Sequence, residues 1–252
     1  MITISEADME QKMNEIKDNM RRIKEGINDD RDPIFIELLG TPKSGKTTLL
    51  KNVKGLFANS GIEMFTRRET AEYNPVDKDS NQYDLWMVLE LFRNLVEDIS
   101  NRKGQIVIYD RGIIDRLTWL QSARLEGSIE DEDLNRLFEL YKINSINSGY
   151  KPITLGFLTS PELSVQRKGK EGRVVNVQNL RRYNTILKGS QQLISQMSSN
   201  YKLTETDTYQ GKLEEFILDM SSYITGQIAN QLEVKKSEKV KNTTISEKTE
   251  RE

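Results

Sequence analysis

The residues best suited to chemistry lie in one short stretch, Gly40-Thr41-Pro42-Lys43-Ser44-Gly45-Lys46-Thr47. It has the G-x-x-x-x-G-K-[ST] spacing of a phosphate-binding P-loop. In such a loop the backbone N–H groups surround a phosphate, a lysine reaches the β- and γ-phosphates, and a hydroxyl binds Mg²⁺. The spacing therefore predicts that the segment from Gly40 to Thr48 binds a nucleoside triphosphate, with Lys46 on the phosphates and Thr47 on the metal.

The segments on either side of this loop fit the motif. Residues 34–39 are mostly apolar and have strand character, and residues 48–53 can continue as a helix. Strand, loop and helix in that order bring the loop N–H groups and the positive end of the helix dipole onto one anion. A chance Gly/Ser-rich turn is the alternative, and this context disfavours it.

A second pair of candidate residues, Asp110 and Arg111, follows the strand-like run 105–110. An acid at that strand end can approach the Mg²⁺ of the P-loop, either directly or through water. The arginine beside it is suited to the transferring phosphate or to an anionic substrate. The alternative is a surface Asp-Arg pair, but ligands of open α/β sheets bind at this edge, where a second phosphate ligand is needed.

Two further charged segments complete the candidate site. Arg67, Arg68 and Glu69 follow the strand predicted at 62–66. They are predicted to bind the acceptor, with Glu69 accepting a hydroxyl proton or holding a sugar; an exposed charged loop is the alternative. Arg167 and Arg173 flank a basic segment with two glycines. That segment is predicted to be a mobile lid that brings positive charge over the phosphates, and a solvated turn is the alternative.

The elements that must position these residues alternate between strand and helix. This order predicts a parallel sheet covered on both faces, in a three-layer α/β/α P-loop NTPase sandwich with five strands. The predicted strands are 34–39, 62–66, 105–110, 153–159 and 201–205, and the predicted helices include 82–100, 112–126, 131–147, 176–199 and 211–232.

Two charged segments flank this domain, which is predicted to span 31–232. Within residues 1–30, an amphipathic helix is predicted at 5–28 because Met9, Met13, Ile16, Met20, Ile23 and Ile27 alternate spacings of four and three. Its apolar stripe could dimerise the chain or bind a partner, but packing onto its own domain is favoured. Residues 233–252 are almost without apolar side chains and are predicted to be a disordered tail.

Composition excludes several classes of chemistry. The chain has no Cys and no His, so disulfides, thiolate catalysis and cysteine zinc sites are excluded, and any general base must be another group. Lys and Arg number 37 against 39 acidic residues, so no global positive field favours nucleic acid. Neither a signal peptide nor a transmembrane run is visible, which predicts a cytoplasmic address.

In their order along the chain, these motifs resemble the thymidylate kinase and deoxynucleoside kinase superfamily over about residues 34–225. The resemblance adds three positions: Lys43 stands where some members have a catalytic arginine, Arg93 where they have a substrate-contacting arginine, and Trp119 near an aromatic of the acceptor pocket. It implies ATP- and Mg²⁺-dependent phosphoryl transfer to a nucleoside or nucleoside monophosphate. The implied catalytic residues are Lys43, Lys46, Asp110, Arg111, Arg167 and Arg173, the implied acceptor residues are Arg67, Arg68, Glu69, Arg93 and Trp119, and the implied metal residues are Thr47 and Asp110.

The sequence departs from these kinases at Gly112, where they continue with other residues after the arginine. The Asp-Arg-Gly segment is also similar to that of AAA-type P-loop ATPases or kinases. An alternative function is therefore a P-loop ATPase or nucleotide-dependent switch that acts through partners contacted by the N-terminal helix. For a kinase, the positive charge of Arg67, Arg68 and Arg93 favours an acceptor that already carries a phosphate.

Overall fold

The structure, a computed structural model, describes residues 5–27, 32–78, 80, 82–102, 104–125, 127, 129–169, 175–209 and 212–249. Within this part of the chain, five strands form one parallel sheet in the order β2-β3-β1-β4-β5. The strands are β1 (Ile34–Gly40), β2 (Met64–Arg67), β3 (Ile106–Asp110), β4 (Ile153–Leu158) and β5 (Asn200–Glu205). The predicted α/β/α sandwich is therefore confirmed.

Helices connect the strands and cover both faces of the sheet. In the described residues they are α1 (Glu6–Gly26), α2 (Lys46–Asn59), α3 (Gln82–Asn101), α4 (Ile113–Leu125), α5 (Asp131–Ser148), α6 (Pro161–Lys168), α7 (Val177–Gly189), α8 (Gln191–Met197) and α9 (Leu213–Thr249). The helix predicted at 176–199 is interrupted between α7 and α8, where Gly189 weakens the helix and Ser190 leaves helical geometry.

Side chains that alternate along each strand build two cores. In β1, Ile36 and Leu38 lie in the core formed with α1, α2 and α9. Phe35 and Leu39 lie in the opposite core, formed with α3, α4, α5, α7 and α8. Because both faces of the sheet are covered, the central strands are apolar on both sides, and a charged residue there needs a specific partner.

The N-terminal helix packs against the last helix of the same chain. Ile16, Met20 and Ile23 of α1 are buried in the core with α2 and α9. Lys12 forms an ion pair with Asp219 of α9. The apolar stripe of α1 therefore contacts its own domain, which was the favoured of the two sequence interpretations.

Helix α9 is longer than predicted. It continues to Thr249 through most of the segment expected to be a disordered tail, whereas the sequence predicts an end near residue 232. The extension is rich in Lys and Glu, which are good helix formers, and it propagates from a turn already fixed by packing around Leu232. No helix among the described residues is long and apolar enough to cross a membrane.

Candidate active site

The P-loop joins the carboxyl end of β1 to the first turn of α2. Gly40 has a φ of 128°, and a Cβ there would lie 2.0 Å from the carbonyl oxygen of Phe157, so only glycine fits. Gly45 is the N-cap of α2 with a φ of 96°, and no side chain caps that end of the helix. The first N–H groups of α2 therefore remain available for an anion, as the motif predicts.

Lys46 is folded back onto the loop. Its Nζ atom donates hydrogen bonds to the carbonyl oxygens of Gly40 (2.9 Å) and Thr41 (2.7 Å) and to the Ser44 hydroxyl (3.3 Å). Burial lowers the pKa of Lys46 to about 7, and the nearby charge of Arg111 adds to this effect. A phosphate in the loop would restore a counter-charge to this ammonium group.

Other loop residues are held by β4 and α6. The Thr41 hydroxyl accepts a hydrogen bond from the N–H of Thr159 at 2.9 Å. The Ser164 hydroxyl of α6 donates to the carbonyl oxygen of Pro42 at 2.6 Å. Arg167 of α6 donates to the carbonyl oxygen of Lys43 at 3.0 Å. The start of the predicted lid is therefore attached to the P-loop, whereas Arg173 lies outside the described residues.

Lys43, Thr47 and Thr48 form the outer surface of the loop. Lys43 has a φ of 63°, unusual for a residue with a Cβ, and its side chain is exposed. Thr47 is exposed, and Thr48 is half-buried, at the start of α2. The exposed positions leave both Lys43 and Thr47 accessible to a ligand bound over the loop.

Arg111 lies directly after β3, beside the P-loop. Its φ of 63° turns the chain sharply away from the strand, and its backbone N–H donates to the carbonyl oxygen of Leu38 at 3.0 Å. Its guanidinium group lies between two carboxylates, with Nε 3.1 Å from Glu69 Oε1 and Nη1 3.1 Å from Asp115 Oδ2. Burial disfavours the charge of Arg111, but these carboxylates hold its pKa above the ordinary value.

The groups around Lys46 form one electrostatic cluster. The charges of Asp110, Glu69 and Asp115 all raise the pKa of Lys46, against the larger opposing effects of burial and Arg111. Burial raises the pKa of Asp110, while Lys46 and Arg111 favour its ionised form. The fold thus brings together the P-loop lysine, Asp110, Arg111 and Glu69, which the sequence predicted as separate elements of the site.

Sequence reasoning missed Glu37, a fully buried carboxylate in the middle of β1. It accepts hydrogen bonds from the N–H groups of Ile113 and Ile114, both at 3.0 Å, and from the Tyr150 hydroxyl. Burial raises the pKa of Glu37 to about 7. Glu37 therefore binds the first turn of α4, directly after the Asp-Arg-Gly segment; a charged residue inside an apolar strand was the only signal.

The side chain of Glu37 also restricts the residue at position 112. A Cβ at Gly112 would lie 2.3 Å from the carboxyl carbon of Glu37. Any larger residue there would displace the carboxylate that holds α4. The buried glutamate of the neighbouring strand therefore requires glycine at position 112.

Two of the three arginines predicted to bind the acceptor are paired with carboxylates of α3. Arg67 forms a bidentate ion pair with Asp98 of α3, at 3.0 and 2.6 Å. Arg93 is exposed and pairs with Glu90 (2.6 Å) and Glu97 (3.3 Å) on its own helix. Arg68 is exposed as well. Arg67 and Arg93 meet through Glu97, and their ion pairs lie on α3 rather than on the P-loop.

Glu69 and Trp119, the other two residues predicted to bind the acceptor, are separate from these ion pairs on α3. Glu69 forms an ion pair with Arg111, and its side chain is 34% exposed. The Trp119 ring stacks on Tyr183 of α7, with 4.1 Å between ring centroids. Arg116 of α4, which the sequence did not indicate, pairs with Asp84 of α3, and burial lowers the pKa of Arg116 to about 10.

The predicted metal residues offer a hydroxyl and a carboxylate, both suited to Mg²⁺. In the described part of the chain, no three acidic side chains cluster to form a metal site by themselves. Thr47 and Asp110 each offer an oxygen of the type that Mg²⁺ binds.

Comparison with known proteins gives a match in structure only. No protein-family model and no curated protein matches the sequence. The fold is similar to deoxyadenosine kinase from M. mycoides with bound dATP, with a TM-score of 0.53, 14% identity, and 74% of this chain and 98% of that chain covered. With bound dCTP the TM-score is 0.52, at 15% identity and the same coverage.

A third structure of that kinase, with dCMP and a flexible dCDP bound as products, gives a TM-score of 0.50 at 16% identity, over 75% of this chain and all of the other. At these identities the likeness establishes the fold. The chain therefore has the fold of these deoxyadenosine kinase structures, and nearly the whole length of those chains has a counterpart here.

Proposed function

We propose that this protein transfers the γ-phosphoryl group of ATP to a nucleoside, in a reaction that depends on Mg²⁺. The observation that carries the proposal is the position of Arg111, between Glu69 and Asp115 and close enough to Lys46 to shift its pKa. Such an arrangement combines a phosphate loop, fixed positive charge and a partly exposed carboxylate at one sheet edge. Phosphoryl transfer depends on these three elements, since positioning and charge stabilisation supply most of the catalysis.

The P-loop side would hold the triphosphate. The uncapped N–H groups of α2 and the Lys46 ammonium group would bind phosphate oxygens, and Thr47 and Asp110 would hold the metal. Bound Mg²⁺ would neutralise charge on the β- and γ-phosphates. Arg111 and Arg167 would add positive charge near the transferring group, and Lys43 and Arg173 remain further candidates for this role.

The acceptor side would lie beyond Arg111. Glu69 combines an ion pair with Arg111 and solvent access, so it would accept the proton of an acceptor hydroxyl. Trp119 and Tyr183 would bound the pocket on the α4–α7 side. In a chain without histidine, a carboxylate is a suitable general base for this step.

The charge around the predicted acceptor arginines favours a nucleoside over a nucleoside monophosphate. Arg67 and Arg93 already have carboxylate partners, so little of their charge remains for an acceptor phosphate. The sequence-based preference for a phosphorylated acceptor depended on Arg67, Arg68 and Arg93, so two of its three charges are already paired. The kinase structures similar in fold, with dATP, dCTP, or dCMP and dCDP bound, support a deoxynucleoside as the first acceptor class to test.

A panel of nucleosides and nucleoside monophosphates, incubated with ATP and Mg²⁺, tests the proposal by its phosphorylated products. We expect a nucleoside 5′-monophosphate, and loss of turnover in Lys46→Ala and Asp110→Ala with the circular dichroism spectrum unchanged. Lys51→Ala, an exposed lysine on the same helix as Lys46, is the matched control and should keep full activity. Full activity in either site variant contradicts the assignment.

The alternative of a nucleotide-dependent switch has less support. Half of its proposed contact surface, Ile16, Met20 and Ile23 of the α1 stripe, is buried in the core with α2 and α9. ATP hydrolysis without product across the whole acceptor panel, together with loss of a partner on removing residues 1–30, would favour the switch instead.

A further inference from the structure

A single buried carboxylate, Asp115, connects three parts of the site. Its side chain is 3% exposed. Oδ1 accepts hydrogen bonds from the N–H of Gly40 (2.9 Å) and the hydroxyl of Tyr183 (2.6 Å), and Oδ2 accepts one from Arg111 Nη1 (3.1 Å). We infer that Asp115 is a positioning residue that fixes the guanidinium group of Arg111 relative to the ATP loop. This inference rests on the proposed function.

The two carboxylates that bind Arg111 differ in how firmly they are held. Asp115 is buried and has two other hydrogen-bond donors, whereas the Glu69 side chain is 34% exposed. A buried acceptor with several donors has one well-defined position, while an exposed one can exchange its partner for water or substrate. The orientation of Arg111 therefore depends on Asp115, and Glu69 is the partner that can turn towards an acceptor.

The contact with Gly40 ties this orientation to the P-loop. Gly40 is the first residue of the loop, and its backbone is confined by the carbonyl oxygen of Phe157. One carboxylate thus joins the start of the loop to the arginine that would act on the phosphate. A displacement of about 1 Å between such groups can lower a rate by on the order of 100-fold, so this link has a direct bearing on turnover.

Tyr183 completes the position of Asp115. Burial raises the pKa of the Tyr183 hydroxyl well above its ordinary value. The hydroxyl therefore stays protonated and donates a hydrogen bond to Asp115. Its ring stacks on Trp119 at an interplanar angle of 16°. The fluorescence of Trp119 therefore reports on this network, and Trp86→Phe removes the other tryptophan signal.

A double-mutant cycle between Asp115→Asn and Arg111→Ala separates positioning from a general structural role. Asparagine keeps the shape of Asp115 and an oxygen for Gly40 and Tyr183, but it loses the charge that holds Arg111. We expect Asp115→Asn to lower turnover by on the order of 100-fold, and to add little in the Arg111→Ala background. Tyr183→Phe, which removes one donor and keeps the stacking ring, should have a smaller effect.

Chemical rescue gives a second test that does not depend on additivity. Millimolar guanidinium ion should restore part of the turnover of Arg111→Ala, because Asp115 and Glu69 still form the seat for a guanidinium group. The same ion should not rescue the Arg111→Ala/Asp115→Asn double variant. A structural role for Asp115 alone predicts equal relative rescue in both, and that result overturns the inference.

ATP affinity, read from Trp119 fluorescence in the Trp86→Phe background, supplies the same cycle without an acceptor. If the protein phosphorylates no acceptor, the proposed function fails, and coupled effects of the two substitutions on ATP affinity still support Asp115 as a positioning residue. If turnover depends on Arg111 but the two losses are independent, only the inference fails. It also fails if Asp115→Asn loses activity solely in proportion to unfolded protein, measured by thermal unfolding, or if Arg111→Ala keeps full turnover and ATP affinity.

Discussion

Two buried aspartates in this molecule hold an arginine and a tyrosine hydroxyl in the same way. Asp98 of α3 accepts hydrogen bonds from Arg67 and from the Tyr109 hydroxyl, at 2.7 Å for the tyrosine. Asp115 of α4 accepts them from Arg111 and from the Tyr183 hydroxyl. The composition of the two clusters is nearly identical, yet their places in the fold differ.

The difference lies in the remaining contacts of each arginine. Arg67 gives both Nε and Nη2 to Asp98, and Glu97 lies 3.2 Å from the same Nη2. This cluster fastens β2 and β3 to α3. Arg111 divides its donors between Asp115 and the partly exposed Glu69, and Asp115 also contacts the P-loop at Gly40. The first arrangement uses its charges for structure, and the second keeps one charge beside the P-loop.

The largest expected effect concerns the stability provided by the Asp98 cluster. Arg67→Ala leaves Asp98 fully buried without its main partner, which should lower the free energy of unfolding by about 3–5 kcal/mol. Urea denaturation measures this, and Arg68→Ala, on the exposed neighbour, should change it by less than about 0.5 kcal/mol. If the folded Arg67 variant instead loses turnover as severely as an Arg111 variant, the comparison between the clusters is wrong.

Arg111→Ala should act chiefly on turnover. Removing a fixed positive charge from the transferring phosphoryl group should lower kcat by about 10²–10³-fold, equivalent to about 2.7–4 kcal/mol. Steady-state kinetics measure the loss, and unfolding curves show how much of it is due to stability. Arg124→Ala, which alters an arginine at the exposed end of α4, is the matched control. A kcat equal to that of the unaltered protein would remove Arg111 from the proposed mechanism.

ATP affinity should depend on pH through Lys46, and Arg111 of the Asp115 cluster should affect this dependence. Because burial lowers the pKa of Lys46 to about 7, the loop lysine of the ATP-free protein loses its proton as pH rises through 7. Phosphate binding requires the charged form. The dissociation constant of ATP should therefore increase by up to about tenfold per pH unit above pH 7, with proton uptake on binding.

Calorimetry in buffers of different ionisation enthalpy counts these protons, and Lys46→Arg should abolish the pH dependence because arginine stays charged. In the ATP-free protein the unfolded chain holds this proton up to about pH 10.4, so the Lys46 contribution to folding stability rises between pH 7 and that value. Arg111→Ala should move the onset to higher pH, since the Arg111 charge lowers the pKa of Lys46. A pH-independent dissociation constant between pH 7 and 9 would contradict this account of the loop.

The smallest effect is expected at Arg93, whose ion pairs are with Glu90 and Glu97 rather than with Asp98 or Asp115. Its side chain is 61% exposed and paired with Glu90 and Glu97. Arg93→Ala should change the free energy of unfolding by less than about 0.5 kcal/mol and leave the KM of the acceptor unchanged. An increase of several-fold in that KM would restore the sequence-based prediction that Arg93 binds the acceptor.

Local patterns were sufficient for the fold and for the backbone conformation of the P-loop segment. Backbone conformation over a few residues depends on the glycine spacing of residues 40–47, on the apolar strand before it and on the helix after it. The geometry of this segment can therefore be predicted from the local sequence. The alternation of strands and helices fixed the sheet as parallel for the same reason. The sequence predicts an end of the last helix near residue 232, whereas α9 continues to Thr249, because Lys and Glu favour a helix even where few apolar residues can pack.

The acceptor side was not readable in this way. Arg67 ends β2 and Arg111 follows β3, and each lies beside other charged residues in the sequence. Nothing in the sequence shows that Arg67 pairs with Asp98. Nor does it show that Arg111 pairs with Asp115, which also binds Gly40. Likewise, Glu37 could be assigned a partner only after the first turn of α4 was seen to lie against β1.

The sequence by itself determined the phosphate loop, the parallel α/β sandwich and the absence of histidine and cysteine chemistry, because each depends on residue types or on spacing within one segment. Only the tertiary structure decided which arginines are neutralised and which carboxylates are buried. The physical reason is that a charge takes its role from partners distant in the chain and from its exclusion from water, and both arise when helices pack on the sheet.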